Sequence, residues 1–110
     1  MSRVEYGHVD IDLGDEVITL KPTLKAIMKI ERHFGGMRNA IESCGNLSVE
    51  GAWVIISAGA NIKPNDENMQ EKVLMGVGMS NILPHVSEYL MLLLNPTGKD
   101  AEEADQESGE

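Results

Sequence analysis

The sequence predicts an α+β fold in which an N-terminal antiparallel β-hairpin packs on a bundle of four to five short helices. Apolar residues alternate with a period of two as far as Leu20, and they recur with helical spacing from Thr23 to Leu94. No aromatic or large aliphatic residue follows Leu94, which predicts that residues 96–110 form a disordered acidic tail. Residues 1–95 are therefore expected to form a single domain.

The hairpin is expected to span Tyr6 to Leu20. Its first strand alternates apolar and acidic residues in the run VDIDL, which is typical of a strand with one buried face. Asp10 and Asp12 are expected to face solvent. Gly14-Asp15 has the composition of a turn, and the β-branched run VITL supplies the return strand. Because an isolated hairpin is marginally stable in water, its apolar face is expected to pack on the helices.

Five helical segments are expected after the hairpin. They are residues 22–34, 37–44, 49–60, a segment from about 66 that weakens at Gly76 and Gly78, and residues 80–94. Pro22 suits a first helical turn because its missing N–H is not needed there. The spacing of the first helix is carried by Leu24, Ile27, Met28, Glu31 and Phe34.

The third helical segment is expected to bury the only tryptophan. Ser48 is a good N-cap residue, because its hydroxyl can accept from a free backbone N–H of the first turn. Trp53 then lies on one apolar face with Val49 and Ile56. We therefore expect Trp53 to be largely buried.

The charge of the chain excludes some classes of partner. The formal net charge is −9, and residues 96–110 contribute −5 of it through one lysine and six acidic residues. We identify no basic patch in the sequence that offsets this charge, so nucleic acid is not expected to bind. The longest purely apolar run has five residues, far fewer than the roughly 20 that span a bilayer. A cytoplasmic protein without a membrane partner is expected.

The residues that commonly carry chemistry are scattered along the chain. His8, His33 and His85 lie in different predicted elements and have no spacing typical of a metal pair. Cys44 is the only cysteine, so no intrachain disulfide is possible, and a lone cysteine most often behaves as a small hydrophobe. No catalytic, cofactor-binding or metal-binding residue is predicted, and the protein is not expected to be an enzyme.

Two apolar features exceed the needs of a small core. The run LMLLL at residues 90–94 is apolar around the whole helix, although a face of about 100° is enough for packing. We therefore expect this run to contact a protein partner or a second copy of the chain. The expected contact residues are Leu90, Met91, Leu92 and Leu94, and Met91 and Leu92 are the strongest candidates among them. The six internal methionines either fill a core poor in aromatics or provide an adaptable apolar surface.

Several short motifs occur in a fixed order between residues 7 and 96. They are GHVDIDLGD from Gly7, TLKPTL from Thr19, IERHFGG from Ile30, Leu47-Ser48, Gly59, and the final Tyr89-Leu90 and Leu94-Asn95-Pro96. In this order and spacing they resemble a family of short phage and gene-transfer-agent proteins. Members of this family are described as tail assembly chaperones or, more loosely, as tail tube proteins.

The resemblance implies a non-catalytic protein made during particle assembly. Chaperones of this family are thought to bind the long, apolar, helical tape measure protein until tail tube subunits surround it. The tail tube protein is a further candidate partner. The alternative is a structural tail component retained in the particle. A tube subunit normally needs a larger β-sandwich, whereas this sequence predicts one hairpin, which counts against the alternative.

Overall fold

The structure, a computed structural model, describes residues 6–46 and 48–97 and confirms the predicted α+β architecture. Strands β1 (Val9–Asp12) and β2 (Val17–Leu20) form an antiparallel pair. The helices that follow are α1 (Leu24–Phe34), α2 (Met37–Glu42), α3 (Val49–Ala60), α4 (Glu67–Glu71) and α5 (Met79–Leu94). A 3₁₀ turn (Ser43–Asn46) follows α2, and a π-helical segment (Lys72–Val77) continues α4. Of the predicted tail, residues 98–110 lie outside the described part of the chain.

The hairpin has one buried and one exposed face, as the alternation predicts. Asp10 and Asp12 face outwards, and the Thr19 hydroxyl donates to the Asp10 carboxylate across the strands at 2.8 Å. Gly14 occupies the turn with a φ of 100°, a conformation that glycine adopts without strain. The inward side chains, all buried, are those of Val9, Ile11, Ile18 and Leu20.

Helix α1 begins later than the sequence suggests. Thr23 is the N-cap: its backbone is extended, and its hydroxyl accepts from the Ala26 N–H at 3.0 Å. Pro22 therefore precedes the helix, and its assignment to the first turn is wrong. At the other end, Gly35 closes the helix with a φ of 82°, as expected of a glycine that follows a helix.

The buried face of α1 also differs from the expected one. Ala26 and Ile30 are fully buried, whereas Leu24 and Met28 are exposed. Helices α1 and α3 pack directly on each other, and a small residue at such a contact allows two helices to approach closely. Of the residues in the predicted spacing, Ile27 and Phe34 are partly buried against the core, whereas Leu24 and Met28 lie on the outer side of the helix.

Helix α3 lies at the centre of the fold. Eight of its residues are buried, because α1, α5 and β2 pack around it. Trp53 is buried, which confirms the prediction, and its indole N–H donates to the Pro64 carbonyl at 2.7 Å. Val49, expected on the same buried face, is exposed, because it is the first residue of the helix and burial begins at Gly51.

Tyr89 joins three elements at one end of the core. Its fully buried side chain donates from the hydroxyl to the Lys21 carbonyl, which follows β2, at 2.6 Å. The Lys21 N–H donates in turn to the Gly59 carbonyl in α3 at 3.0 Å. A Cβ at position 59 would lie 2.7–2.9 Å from Cζ, Cε2 and the hydroxyl oxygen of Tyr89. Burial raises the pKa of Tyr89, so the phenol stays protonated and remains a donor.

The contact between Tyr89 and Gly59 gives a stability prediction. Gly59→Ala should destabilise the fold by about 1–3 kcal/mol, because the ring or the helix must move. The control is Gly76→Ala, since a Cβ at Gly76 meets nothing within 4 Å. Alanine normally stabilises a helix by about 1 kcal/mol relative to glycine, so this control should match or exceed the wild type. Equal denaturant midpoints for the two variants would contradict the close contact.

The burial of Trp53 gives a second prediction. Trp53→Ala should destabilise the protein by about 3–5 kcal/mol, since it leaves a large cavity beside α3. Trp53→Phe keeps most of the ring but loses the hydrogen bond to Pro64, so its effect should be smaller. Fluorescence of the native protein should show emission at shorter wavelength than tryptophan in water. A native emission maximum equal to that of the unfolded chain would refute this placement.

Candidate functional site

The last turns of α5 contain the predicted partner-binding residues, and the structure places them in three environments. Leu90 is 1% exposed and belongs to the core. Leu92 is half-buried. Met91 and Leu94 are 57% and 54% exposed. The run that is uniformly apolar in sequence is therefore divided between the core and the surface.

Leu90 shares the inner face of α5 with Val86, Tyr89 and Leu93, all of which are buried. These residues lie on the side of α5 that faces the core, and α3 and the hairpin are among the elements that α5 contacts. The structure therefore removes Leu90 from the predicted partner-binding set. Leu90 was predicted to contact a partner because all five residues of the run are apolar. Such a run does not indicate which side of the helix faces the core.

Leu92 packs against the chain segment that enters β1. The Gly7 N–H donates to the Pro96 carbonyl at 2.9 Å, and a Cβ on Gly7 would lie 2.9 Å from Cδ1 of Leu92. A side chain at position 7 would therefore require the end of the Leu92 side chain to move. Leu92 is thus partly covered by the segment that contains Gly7. Of Met91 and Leu92, the two strongest candidates for partner binding, Met91 is the more accessible.

Met91 and Leu94 are three residues apart, so they are neighbours on the outer side of α5. Tyr6 is also exposed, and the hydrogen bond from Gly7 to Pro96 places it at the same end of the molecule. Tyr6, Met91 and Leu94 are called the terminal apolar surface below. Tyr6 could not be assigned to this surface from the sequence, because its position depends on the hydrogen bond between Gly7 and Pro96, which are 89 positions apart.

The internal methionines divide evenly between the two interpretations that the sequence left open. Met37, Met69 and Met79 are partly buried against the core and act as filler. Met28, Met75 and Met91 are exposed. Met91 lies three residues from the exposed Leu94 on α5, and Met28 lies four residues from the exposed Leu24 on α1.

An open groove of about 430 Å³ lies along the π-helical segment. It is lined by Asn68, Glu71, Lys72, Met75 and Gly76. The Lys72 ammonium donates to Asp15 at 2.9 Å and to Glu16 at 2.7 Å, which ties this segment to the hairpin turn. Ligand pockets are usually enclosed and lined mainly by apolar side chains, whereas this groove is open and its lining is as polar as it is apolar. It is therefore a weaker candidate site than the terminal apolar surface.

Titratable groups are not gathered into a reactive cluster in the part of the chain that the structure describes. Within residues 6–46 and 48–97, no group of three or more His, Cys, Asp or Glu side chains is placed to hold a metal ion. Nε2 of His8 lies 3.6 Å from Oδ2 of Asp10, and the His33 ring packs edge-on against the Phe34 ring. Cys44 is half-buried, with its sulfur 3.7 Å from the Ala40 carbonyl oxygen.

Comparison with protein-family models, curated proteins and solved structures finds no match to this chain. Among the described helices, none is both long enough and apolar enough to cross a membrane.

The Lys72 ion pairs predict how stability depends on pH. Hydrogen bonds to Glu16 and Asp15 raise the pKa of Lys72, and the hydrogen bond from Lys72 lowers the pKa of Asp15. The Asp15 contribution is therefore present above its ordinary pKa of 3.8 and is lost as the pH falls through the lowered value. The Lys72 contribution is present below 10.5 and is lost as the pH rises through the raised value.

Lys72→Met should therefore lower Tm at neutral pH. The difference from wild type should shrink towards zero in acid, as Asp15 is protonated, and again in strong base, as Lys72 loses its proton. Lys63→Met is the control, because Lys63 is exposed and forms no ion pair with another described residue. A Tm difference for Lys72→Met that stays constant from acid to neutral pH would contradict the ion pairs.

Proposed function

We propose that the protein is a non-catalytic tail assembly chaperone that binds the tape measure protein through the terminal apolar surface. The observation that supports this most directly is the outward position of Met91 and Leu94 on a helix whose other face is packed in the core. Exposed apolar side chains grouped at one site are typical of surfaces that bind protein partners. The resemblance of residues 7–96 to the chaperone family supplies the identity of the partner.

The proposed mechanism is shielding. A long apolar helical protein aggregates unless its apolar face is covered, and Met91 and Leu94 offer unbranched and branched side chains to cover it. Methionine adapts its shape to varied apolar partners, which suits a helix that presents many similar sites. Each side chain that becomes fully desolvated contributes about 1–3 kcal/mol. Contacts of this size hold the partner reversibly, so that tube subunits can replace the chaperone.

The net charge of −9 supports the same role, because a complex with strong net charge repels other copies and resists aggregation. The net negative charge also disfavours nucleic acid as a competing partner. In this role the protein works in the cytoplasm of the host cell. Self-association through the same apolar surface would occur in the absence of the partner.

The test is co-expression with the tape measure protein encoded nearby, scored by the fraction of that protein that stays soluble. Met91→Glu with Leu94→Glu should reduce this fraction to the level of an empty vector, because two carboxylates cannot be buried against an apolar helix. Both positions are exposed, so the double variant should keep the Tm of the wild type.

A matched control changes two exposed apolar residues elsewhere, Val49→Glu and Met75→Glu, and adds the same charge. This control should keep the tape measure protein soluble. If the wild type leaves the partner as insoluble as the empty vector does, the chaperone proposal fails. Rings containing this chain in stoichiometric amounts in purified particles would instead favour the structural tail component.

A further inference from the structure

Helix α1 has a basic face that the sequence analysis missed. Lys25, Lys29 and Arg32 recur at intervals of four and three residues, so they lie on one side of the helix, and Lys21 precedes it. Lys21, Lys25 and Arg32 are exposed, and Lys29 is half-buried. These four residues are called the α1 basic face below. The expectation that the acidic chain carries no basic patch is therefore wrong.

The α1 basic face lacks ionic partners within residues 6–46 and 48–97. The ion pairs of the described chain involve His8, Arg38 and Lys72, and none of them includes a residue of this face. Residues 21–34 carry four cationic side chains against Glu31, a net charge of +3 in a chain whose total is −9. The first turn of α1 also contains no acidic residue to offset the positive end of the helix dipole.

We propose that the α1 basic face binds the acidic segment of the same chain, residues 99–110. This segment has six carboxylate side chains and one lysine, a net charge of −5 that is opposite in sign to the charge of the face and similar in size. It contains no large apolar side chain, so the contact is ionic. Single ion pairs between exposed groups are weak, but several act together here, and the tether keeps the segment at high local concentration.

The fold brings the end of the described chain close to this face. Pro96 is hydrogen-bonded to Gly7, Gly7 leads into β1, and Val9 of β1 pairs with Leu20 of β2. Leu20 is followed directly by Lys21, the first residue of the basic face. The 13 residues from 98 to 110 reach about 43 Å when extended. The 11 residues of α1 span about 16 Å, so the segment can lie along the whole helix.

The binding of the acidic segment is independent of what Met91 and Leu94 contact, and its test needs only the isolated chain. A zero-length carbodiimide reagent joins lysine amines to carboxylates that are already in contact, and mass spectrometry identifies the linked peptides. Lys25 and Lys29 should be linked to Glu102, Glu103 or Glu107 severalfold more often than Lys63 is. Lys63 is also exposed and lies outside the α1 basic face, so it serves as the reference for links that need no docking.

Salt provides the second readout. The Debye length falls from about 30 Å at 0.01 M to about 3 Å at 1 M, so these links should disappear at high salt. Truncation after Thr97 should also shift the backbone amide resonances of residues 25–32 in spectra at low salt. The same shifts should follow the triple change Lys25→Gln, Lys29→Gln and Arg32→Gln in the intact chain, where circular dichroism confirms that the helices remain.

Three outcomes would overturn the proposal. The first is equal linking of Lys25, Lys29 and Lys63. The second is a pattern of links that does not change between low and high salt. The third comes from mixing isotopically labelled and unlabelled protein: links that join one labelled and one unlabelled chain would assign the α1 basic face to a second copy.

Discussion

The close packing of Tyr89 on Gly59 is the contact on which the arrangement of the other elements depends. Helix α3 is buried around most of its circumference, so the hairpin, α1 and α5 must all cover it. The Tyr89 ring fits against α3 because position 59 has no side chain, and its hydroxyl holds the Lys21 carbonyl. This contact sets the rotation of α5 about its own axis. With Tyr89 inwards, Leu90 and Leu93 also turn inwards, and Met91 and Leu94 face solvent.

Local signals in the sequence were sufficient to predict most of the elements. The alternation in β1, the Ser48 hydroxyl and the end of α1 before Gly35 each depend on a few neighbouring residues, and the structure confirms them. The faces of helices were harder to predict, because they depend on what lies opposite. Spacing in α1 favoured Leu24, whereas the close contact with α3 selected the smaller Ala26.

The candidate site could be predicted only in part, because its geometry comes from contacts between distant residues. The run at residues 90–94 indicated an excess of apolar surface, but Leu90 could be assigned to the core only once Tyr89 fixed the rotation of α5. Leu92 is covered because Gly7 lies against it, and Tyr6 reaches the same end by the same contact. Lys72 likewise meets Asp15 across 57 positions of sequence. No periodicity in the sequence encodes such pairs.

The hydrogen bond from Tyr89 to Lys21 also relates the two surfaces that we assign to binding. It joins the end of α5, where Met91 and Leu94 face outwards, to the residue at which the α1 basic face begins. The two surfaces are chemically distinct, one apolar and one cationic. An apolar helix on Met91 and Leu94 does not compete for the charges that attract an acidic segment. The partner can thus be held by apolar contact while residues 99–110 stay bound to α1, and the net charge that keeps the complex soluble is retained throughout.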